Sequence, residues 1–380
     1  MPRTLPELRP ALPAAWYYDP TQYRRELDAI WYRDWICVGR AESLAGNGDY
    51  FTASIGDQNV IVARVADGAL RAWHNTCRHR GSLLCETERG RFRNGRIVCP
   101  YHTWTYDLDG ALVATPGRLE TPDFDPGKLS LLGVHVDTWQ GFVFINLADE
   151  PVSDLDTFLG AEKDYLANWP LESMHSVHRE IIPVECNWKI FWENYSECYH
   201  CPRVHPELGR IMPVYRQAVF DEADLPGWQP RFPGDRGFGR VAPGVKTWSV
   251  DGSSSLPLLD GPTDEERAVG VAFTSITGSM YVHGHPDYAR SVRIVPRGPE
   301  RLELVVDWLL PTALGDVDRE IIDEITGLAL LVLRQDAKAC ELNQRGLRSR
   351  DFEHGVLVPQ EYVLWEFHEW LRGRLEKALS

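Results

Sequence analysis

Two short pairs of cysteine and histidine constrain this chain more than any other feature. Cys77 and His79 stand with one residue between them, and after nineteen further residues Cys99 and His102 form a second pair. A glycine follows the first pair and a proline lies inside the second, so both pairs are expected on turns. Two thiolates and two imidazoles suit a [2Fe–2S] cluster in which one iron has two cysteine ligands and the other two histidines. The spacing therefore predicts such a cluster, held by these four residues.

A structural zinc ion is the main alternative for the same residues, because two cysteines with two histidines also form a zinc ligand set. Zinc fingers group cysteine with cysteine, whereas each pair here mixes one cysteine with one histidine. Ordinary core or surface placement of all four residues is the remaining alternative, and the turn residues around both pairs argue against it.

The pairs lie in a stretch that has the pattern of an all-β domain. Between residues 49 and 145 the chain carries short runs rich in β-branched residues, and Asp-Gly turn signals separate them; examples are QNVIVARV, GRIVCP and QGFVFINL. A chain of 380 residues is long enough for more than one core. We assign residues 40–150 to the β domain, residues 151–380 to an α+β domain, and residues 1–39 to a helical segment that belongs with the latter.

Beyond residue 150 the pattern is mixed. Two runs, SVRIVPRG and RLELVVDWLLP, predict antiparallel strands, and a helix is expected from about Val317 to Arg345. A stretch from Pro226 to Pro262 is too dense in glycine and proline for regular structure. An amphipathic helix is expected at about residues 20 to 36.

A second candidate metal site lies in NWKIFWENYSECYHCPRVHPEL, residues 187 to 208. Glu197 and His200 are three residues apart and would share one face of a helix. Pro202 is expected to end or bend that helix, which would let His205 return to the same point. Two imidazoles would then converge on one metal ion.

The third ligand is expected to be Asp336. In the helix from Val317, apolar residues recur at spacings of three and four, and the next step of that stripe falls on this aspartate. A carboxylate in line with a buried stripe is costly unless it is paired or bound to a cation. A buried salt bridge to Arg334, Lys338 or Arg345 is the alternative. Two histidines and one carboxylate would suit a non-haem Fe(II) site with positions open for O2 and substrate.

The segments HNTCRHRGSLLC and VCPYHTWTYDLDG resemble the Rieske domain of ring-hydroxylating oxygenase α subunits, and the resemblance extends over most of the chain. One departure is a gap between the pairs that is about two residues longer than usual, which predicts a small surface insertion within residues 86–96. The resemblance implies an all-β Rieske domain joined to a helix-grip-like catalytic domain with an antiparallel sheet. It also implies Fe(II) ligands at His200, His205 and Asp336, and a role for Glu197 in passing electrons from a Rieske histidine of a neighbouring subunit. A homotrimer, or a dimer of trimers, is expected.

The expected function is that of a terminal oxygenase component, which hydroxylates or oxidatively dealkylates a small organic substrate with O2. The chain has neither a plant-type ferredoxin cysteine spacing nor a dinucleotide fingerprint, so electrons from NAD(P)H are expected through a separate flavin or iron–sulfur reductase or a ferredoxin. A Rieske electron carrier without oxygenase activity is the alternative from another class.

The segment ENYSECYHC is most similar to the glycine betaine, choline and carnitine oxygenases of the family, which implies a quaternary ammonium substrate. Aromatic side chains bind such cations through their ring faces. The candidate cage residues are Trp192, Trp248, Tyr281 and Trp308. Hydroxylation of an aromatic ring is the alternative. His283 and His285 alternate along a strand, where satisfied core or surface histidines are expected and a position in a pocket wall is the alternative.

The net charge of −15 argues against binding to nucleic acid or to an anionic membrane. The chain has no run of 18 apolar residues and its first residues lack the order of a secretory signal, so a cytoplasmic location is expected. The eight cysteines are then expected as metal ligands or buried thiols, including the Cys198 and Cys201 pair.

Overall fold

The computed structural model describes residues 4–232 and 235–377, which fold into two compact units. One unit is Ile30–Phe158, and the other combines the chain up to Ala29 with the chain from Leu159 onward. These boundaries lie about ten residues before and eight residues after the expected ones. The earlier start arises because a strand beginning at Ile36 pairs within the β unit.

The N-terminal segment belongs with the larger unit. It contains β1 (Arg9–Pro13) and α1 (Pro20–Glu26), which Asp19 caps through its side chain. A π-helical turn at Leu27–Trp31 follows, and the chain then leaves the helix. The amphipathic helix expected to reach residue 36 is therefore wrong in extent, because the strand of the next unit begins at that residue.

The smaller unit is all-β, as expected, apart from short helical turns. Seven of its strands form one sheet in the order β2-β11-β10-β5-β4-β3-β6, and β7, β8 and β9 form a second sheet. The strands are β2 (Ile36–Arg40), β3 (Asp49–Ile55), β4 (Gln58–Arg64), β5 (Leu70–His74), β6 (Arg89–Arg91), β7 (Arg96–Val98), β8 (Thr105–Asp107), β9 (Leu112–Ala114), β10 (Gly133–Trp139) and β11 (Phe142–Asn146). Helix α2 (Leu155–Leu159) ends this unit. The stretch 86–96 is mostly exposed at the surface.

A five-stranded antiparallel sheet forms the centre of the larger unit, in the order β12-β16-β15-β14-β13. Its strands are β12 (Met174–Val184), β13 (Ala272–Ile276), β14 (Met280–Gly284), β15 (Ala289–Gly298) and β16 (Arg301–Pro311). The helices are α3 (Trp188–Tyr195), α4 (Cys201–Val204), α5 (Leu208–Ile211), α6 (Asp264–Val269), α7 (Arg319–Gly346) and α8 (Tyr362–Lys377). A last strand, β17 (His354–Leu357), pairs with β1. The α+β class with an antiparallel sheet is confirmed.

Two expectations for this unit hold closely. Helix α7 starts and ends within two residues of the expected bounds, and β15 and β16 cover the two runs assigned to strands. The described residues of the segment 226–262 form neither a helix nor a multi-residue strand. Within the described residues, none of the helices has the length and apolar character needed to cross a membrane.

A fully buried ion pair fastens the N-terminal segment to α3. The Nζ atom of Lys189 donates to both carboxylate oxygens of Glu26, at 2.8 and 2.9 Å, and neither side chain has measurable exposure. Trp188 also donates from Nε1 to Glu26 at 2.8 Å, so this carboxylate of α1 accepts hydrogen bonds from two residues of α3. A buried charge is tolerated only when its partners are in place. Helix α1 and helix α3 are therefore held in register by one carboxylate.

Replacing Glu26 with glutamine is expected to lower the free energy of unfolding by about 3 kcal/mol, because Lys189 is left buried without a counter-charge. Chemical denaturation followed by circular dichroism measures the loss. The double variant Glu26→Gln/Lys189→Met removes both charges and keeps an acceptor for Trp188, so it should regain much of the loss. Equal losses in the two variants would contradict this account.

Candidate active site

The two cysteine and histidine pairs lie on neighbouring loops of the smaller unit, one between β5 and β6 and the other between β7 and β8. Cys77 and Cys99 are each 2% exposed, whereas the imidazoles of His79 and His102 lie toward the surface, with ring centroids 4.7 Å apart. Two inner sulfurs and two outer imidazoles suit a cluster whose irons lie at different depths. Each loop contains a residue with positive φ, and in the first it is a glycine, Gly81, at +76°.

Neighbouring aromatic residues support both kinds of donor. The indole of Trp104 stacks on the ring of His79 at a centroid distance of 4.7 Å. The hydroxyl of Tyr106 lies 3.4 Å from the Cys77 sulfur and accepts a hydrogen bond from the Arg78 backbone at 3.0 Å. Burial raises the pKa of the Cys77 thiol and the Tyr106 hydroxyl opposes that shift. A bound metal removes the thiol proton outright.

A second set of possible metal ligands lies in the larger unit and is compact enough for a single ion. Among the described residues, one group of histidine, cysteine and carboxylate donors is compact enough for one ion, with ligand atoms within 4.8 Å of one another. It consists of His200, His205 and Asp336. The four candidate ligands of the smaller unit are two cysteines and two histidines on separate loops, a set that suits the two irons of a [2Fe–2S] cluster.

The backbone conformation just before His200 differs from the expected helix. Helix α3 begins at an Asn187 cap and ends at Tyr195, so Glu197 and His200 lie in a turn and not on one helix face. Polar side chains end the helix: the Ser196 hydroxyl donates back to the Trp192 carbonyl at 2.7 Å, and the Glu197 carboxylate accepts from two later backbone amides.

Pro202 has the opposite role to the expected one. It stands in the first turn of α4, where a missing backbone donor costs nothing, and it therefore begins a helix and does not end one. His205 follows α4 directly and still returns to His200, with ring centroids 5.2 Å apart.

The third member of the group comes from the middle of α7. Asp336 places Oδ1 at 2.8 Å from Nε2 of His205 and at 3.4 Å from Nε2 of His200. The His205 side chain is 2% exposed and the Asp336 side chain 13%. Arg334 lies near Glu180, so the expected alternative of a buried salt bridge to Asp336 does not form with it.

Each histidine is oriented through its other nitrogen. Glu197 lies with Oε1 at 2.6 Å from Nδ1 of His200, and the amide oxygen of Gln335 lies at 2.8 Å from Nδ1 of His205. Gln335 in turn donates to Glu207 at 3.1 Å. Such contacts fix the ring and direct Nε2 toward a metal, as is usual for metal-binding histidines. The residues present therefore fit an Fe(II) ion held by two Nε2 atoms and one carboxylate.

The charges of the group also favour a cation. Burial disfavours the charged imidazole of His200, yet hydrogen bonds to Asp336 and Glu197 raise its pKa to about 9. Hydrogen bonds from both histidines lower the pKa of Asp336 against the effect of burial. Without a metal His200 is therefore protonated at neutral pH, and a divalent cation would satisfy the same negative field.

A cavity opens beside the three donors. Strands β14 and β15 form its far wall with Tyr281, His283 and Arg290, and Leu333 of α7 adds an apolar surface. The aromatic lining consists of Tyr195, Tyr215, Phe220, Trp248 and Tyr281. The rings of Tyr195 and Tyr281 stack at 3.7 Å. Burial raises the pKa of both phenols, so they stay neutral at physiological pH.

The four aromatic residues predicted for the substrate pocket are not all at this cavity. Trp248 and Tyr281 line it. Trp192 lines a neighbouring cavity that shares Tyr195 and Glu197 with the first one. Trp308 is fully buried in β16, beside His178 at a centroid distance of 5.4 Å, and lines neither cavity. Trp308 is therefore not a residue of the substrate pocket, because its position on β16 buries it in the core.

The polar end of the cavity is a histidine and arginine pair. His283 is 6% exposed and Arg290 4%, and Arg290 Nη2 lies 2.9 Å from His283 Nδ1. Burial and the neighbouring guanidinium hold the pKa of His283 well below its usual value. The expectation of a satisfied core histidine is wrong for His283, because its Nε2 has no hydrogen-bond partner.

The expectation of two buried thiols at Cys198 and Cys201 is also wrong, because the structure joins them in a disulfide. The early end of α3 explains the difference. Cys198 lies in the irregular turn and not on a continuing helix, so its side chain reaches Cys201 with a Cα separation of 4.8 Å. The bond closes the turn that carries His200.

Comparisons with known proteins agree with this architecture. Residues 171–377 match the ring hydroxylating alpha subunit (catalytic domain) family, and residues 34–125 match the Rieske [2Fe-2S] domain family. The glycine betaine monooxygenase oxygenase subunit of Chromohalobacter salexigens is 32% identical over 404 residues, covering 97% of this chain and 87% of that protein. The chloroplastic choline monooxygenase of Spinacia oleracea is 30% identical over 389 residues, covering 99% and 80%.

Two solved structures share the fold. The quaternary ammonium Rieske monooxygenase CntA superposes with a TM-score of 0.76 at 22% identity, covering 97% of this chain and 96% of that one. Naphthalene 1,2-dioxygenase from Rhodococcus sp. superposes with a TM-score of 0.73 at 19% identity, covering 96% and 94%. Enzymes with different substrates thus share this architecture.

The chain belongs to the ring-hydroxylating α-subunit family and is a Rieske non-haem iron oxygenase. Within that family it is a terminal oxygenase component, which incorporates O2 into an organic substrate with electrons from a separate reductase or ferredoxin. A [2Fe–2S] cluster supplies one-electron transfer and a mononuclear iron supplies O2 activation. The catalytic domain match removes the electron-carrier alternative.

Four cavity residues are not predicted from the sequence: Tyr195, Tyr215, Phe220 and Arg290. For Arg290, the sequence does contain one indication. Arg290 shares one face of β15 with two apolar residues, Val292 and Ile294, and all three are buried. A charged residue in register with an apolar strand face indicates either a partner or a ligand.

Proposed function

We propose that this oxygenase oxidises a quaternary ammonium compound. In this proposal His200, His205 and Asp336 hold the mononuclear iron, and Cys77, Cys99, His79 and His102 hold the cluster. The aromatic lining of the cavity beside the proposed iron ligands is the observation that carries the substrate class. Hydroxylation at a carbon bonded to nitrogen would yield an unstable carbinolamine, which breaks down to an aldehyde and the dealkylated amine. Hydroxylation at a carbon further from nitrogen would yield a stable alcohol.

The chemistry of the walls supports a cationic substrate. Trp248 and the stacked pair Tyr195 and Tyr281 present neutral rings beside the three donors. Such rings attract an ammonium group by about 0.5 to 2 kcal/mol each, depending on how far water is excluded. The group cannot accept a conventional hydrogen bond and donates none, so ring faces are its natural partners.

The relatives point in the same direction. Relatives that match over nearly the full length of the chain include glycine betaine and choline monooxygenases. Oxidation of an aromatic ring is the second candidate, because the lining is also apolar and naphthalene dioxygenase shares the fold. The two candidates differ in whether the substrate carries a charge.

Substrate-dependent O2 uptake separates the two candidates. With its reductase, the enzyme is expected to respond to trimethylammonium compounds and not to arenes of similar size. Trp248→Leu should raise KM for the cation about tenfold, since one ring face is lost. Trp370→Leu, an equal change on α8 outside the cavity, serves as the control. Hydroxylated arenes without uptake on cations would replace this proposal with the second candidate.

Glu197 and the assembly complete the proposal. Glu197 contacts His200 on one side, and we assign its charge to receiving electrons for the iron site from a surface histidine of a neighbouring subunit. His79 and His102 have the surface position that such a contact needs. A head-to-tail homotrimer would provide it. The study of CntA describes inter-subunit electron transfer in that enzyme.

A further inference from the structure

Arg290 is a buried cation without an anion. It is 4% exposed on β15, and no ion pair with a carboxylate forms in the described part of the chain. The buried carboxylates of the same sheet region are engaged elsewhere. Asp287 accepts from Thr247 at 2.6 Å and from Ser254, and Asp307 accepts from Arg179 at 2.8 Å. A guanidinium in this position costs free energy unless something negative joins it.

The hydrogen bond to His283 leaves two donors without acceptors. An arginine has only donors, so His283 Nδ1 must accept from Arg290 Nη2 and the imidazole proton must be on Nε2. That Nε2 has no partner, and neither has Nε of Arg290. Both residues line the cavity that His200, His205 and Asp336 also line. One wall of the cavity therefore holds a positive charge and two unused N–H groups.

An ordinary cation would be repelled by this wall. The aromatic rings favour an ammonium group, whereas Arg290 opposes any net positive ligand. A ligand that carries both an ammonium and a carboxylate satisfies the two features together. The ring of Tyr281 lies 5.2 Å from that of His283, so the aromatic surface and the polar pair adjoin each other.

We propose that Arg290 and His283 bind the carboxylate of a zwitterionic substrate. The inference rests on the proposed function for the ammonium half, and it adds that the substrate is a betaine, a quaternary ammonium carboxylate, and not an amino alcohol. The carboxylate at this wall would orient the N-alkyl groups toward the three iron donors. Arg290 is then a specificity-determining residue.

Four ligands separate the two halves of the substrate. Glycine betaine has both charges, and choline has the ammonium with a hydroxyl. The molecule 3,3-dimethylbutanoate has the carboxylate with a neutral tert-butyl group, and 3,3-dimethylbutan-1-ol has neither charge. Calorimetric titration of the holoenzyme should show glycine betaine binding roughly 100-fold more tightly than choline, the size expected for a buried charge-assisted pair.

Arg290→Gln should reduce the affinity for glycine betaine about 100-fold and leave that for choline equal or higher, because a repulsive charge is gone. Arg297→Gln, an exposed arginine of the same strand paired with Glu303, is the matched control and should change neither affinity. The melting temperature of substrate-free Arg290→Gln should equal or exceed that of the wild type, since an unpaired buried charge is removed. A merely structural role for Arg290 would weaken all four ligands together.

The outcomes distinguish the two proposals. If glycine betaine and choline bind the wild type equally, or Arg290→Gln weakens both equally, the carboxylate proposal is wrong. If glycine betaine and 3,3-dimethylbutanoate bind equally, the carboxylate proposal stands and the ammonium proposal fails. Should Arg290→Gln not fold, the conservative variant Arg290→Lys and the wild-type ligand comparison still decide the question.

Discussion

Replacing His205 with alanine is expected to abolish O2 uptake while the visible spectrum of the iron–sulfur cluster stays unchanged. The imidazole is 2% exposed, lies 2.8 Å from Asp336 and is one of only three residues in this group of possible metal ligands, as far as the described residues go. Iron analysis should fall from three irons per chain to two, because the cluster keeps its own pair. The cluster donors lie in the other compact unit and should not respond to the change.

Cys77→Ser should have the complementary effect, since it removes a proposed cluster ligand and leaves the proposed ligands of the single iron intact. It should remove the visible absorption and two irons and keep the single iron, again without turnover. Co-expression of the two variants then tests the assembly, since a mixed trimer pairs an intact cluster with an intact iron site only across subunits. Recovered activity would support electron transfer between subunits. An unchanged spectrum in Cys77→Ser, or three irons in His205→Ala, would contradict the ligand assignments.

Glu197→Gln is expected to keep three irons per chain and to slow turnover about 100-fold. The amide has the size of the carboxylate, so the contact with Nδ1 of His200 at 2.6 Å can persist in altered form while the negative charge is lost. Single-turnover spectroscopy should show slow reoxidation of the reduced cluster in the presence of substrate and O2. Substrate affinity, measured separately, should stay near the wild-type value.

The exposed carboxylate Glu185 offers the control for this change. Glu185→Gln carries the same chemical substitution at the surface and should turn over normally. Reoxidation at the wild-type rate in Glu197→Gln would show that electrons take another path. Loss of iron from the variant would instead make Glu197 a structural support of His200.

The parts of the site that the sequence predicted share one property: each depends on local periodicity or on a short motif. Asp336 is predicted because a helical stripe continues to it with a regular step, and α7 is a regular helix over 28 residues. The four proposed cluster ligands are predicted because cysteine and histidine recur at fixed separations on turns. Neither inference needed knowledge of distant contacts.

The errors arise where side chains compete with the backbone or where distant elements meet. Ser196 and Glu197 take the hydrogen bonds that would have continued α3, and propensity alone does not reveal that competition. Trp308 and Trp248 are both tryptophans near motif segments, yet only the tertiary fold places one in the core and the other at the cavity. Arg290 is not predicted, because only the tertiary fold buries it at the cavity without a carboxylate among the described residues.

Helix α7 limits where residues can be inserted into the chain or deleted from it. Glu324 near its start accepts hydrogen bonds from Ser255, Asp336 lies at its middle, and Gln344 near its end donates to the Tyr17 carbonyl at 3.2 Å. Each inserted residue would rotate everything beyond it by about 100° and shift it by about 1.5 Å. An insertion before Asp336 would therefore turn the carboxylate away from both histidines, whereas the same insertion in residues 226–230, which are mostly exposed and lie outside helices and strands, imposes no such rotation. Natural variation in length should accumulate in that segment and be absent between Glu324 and Gln344.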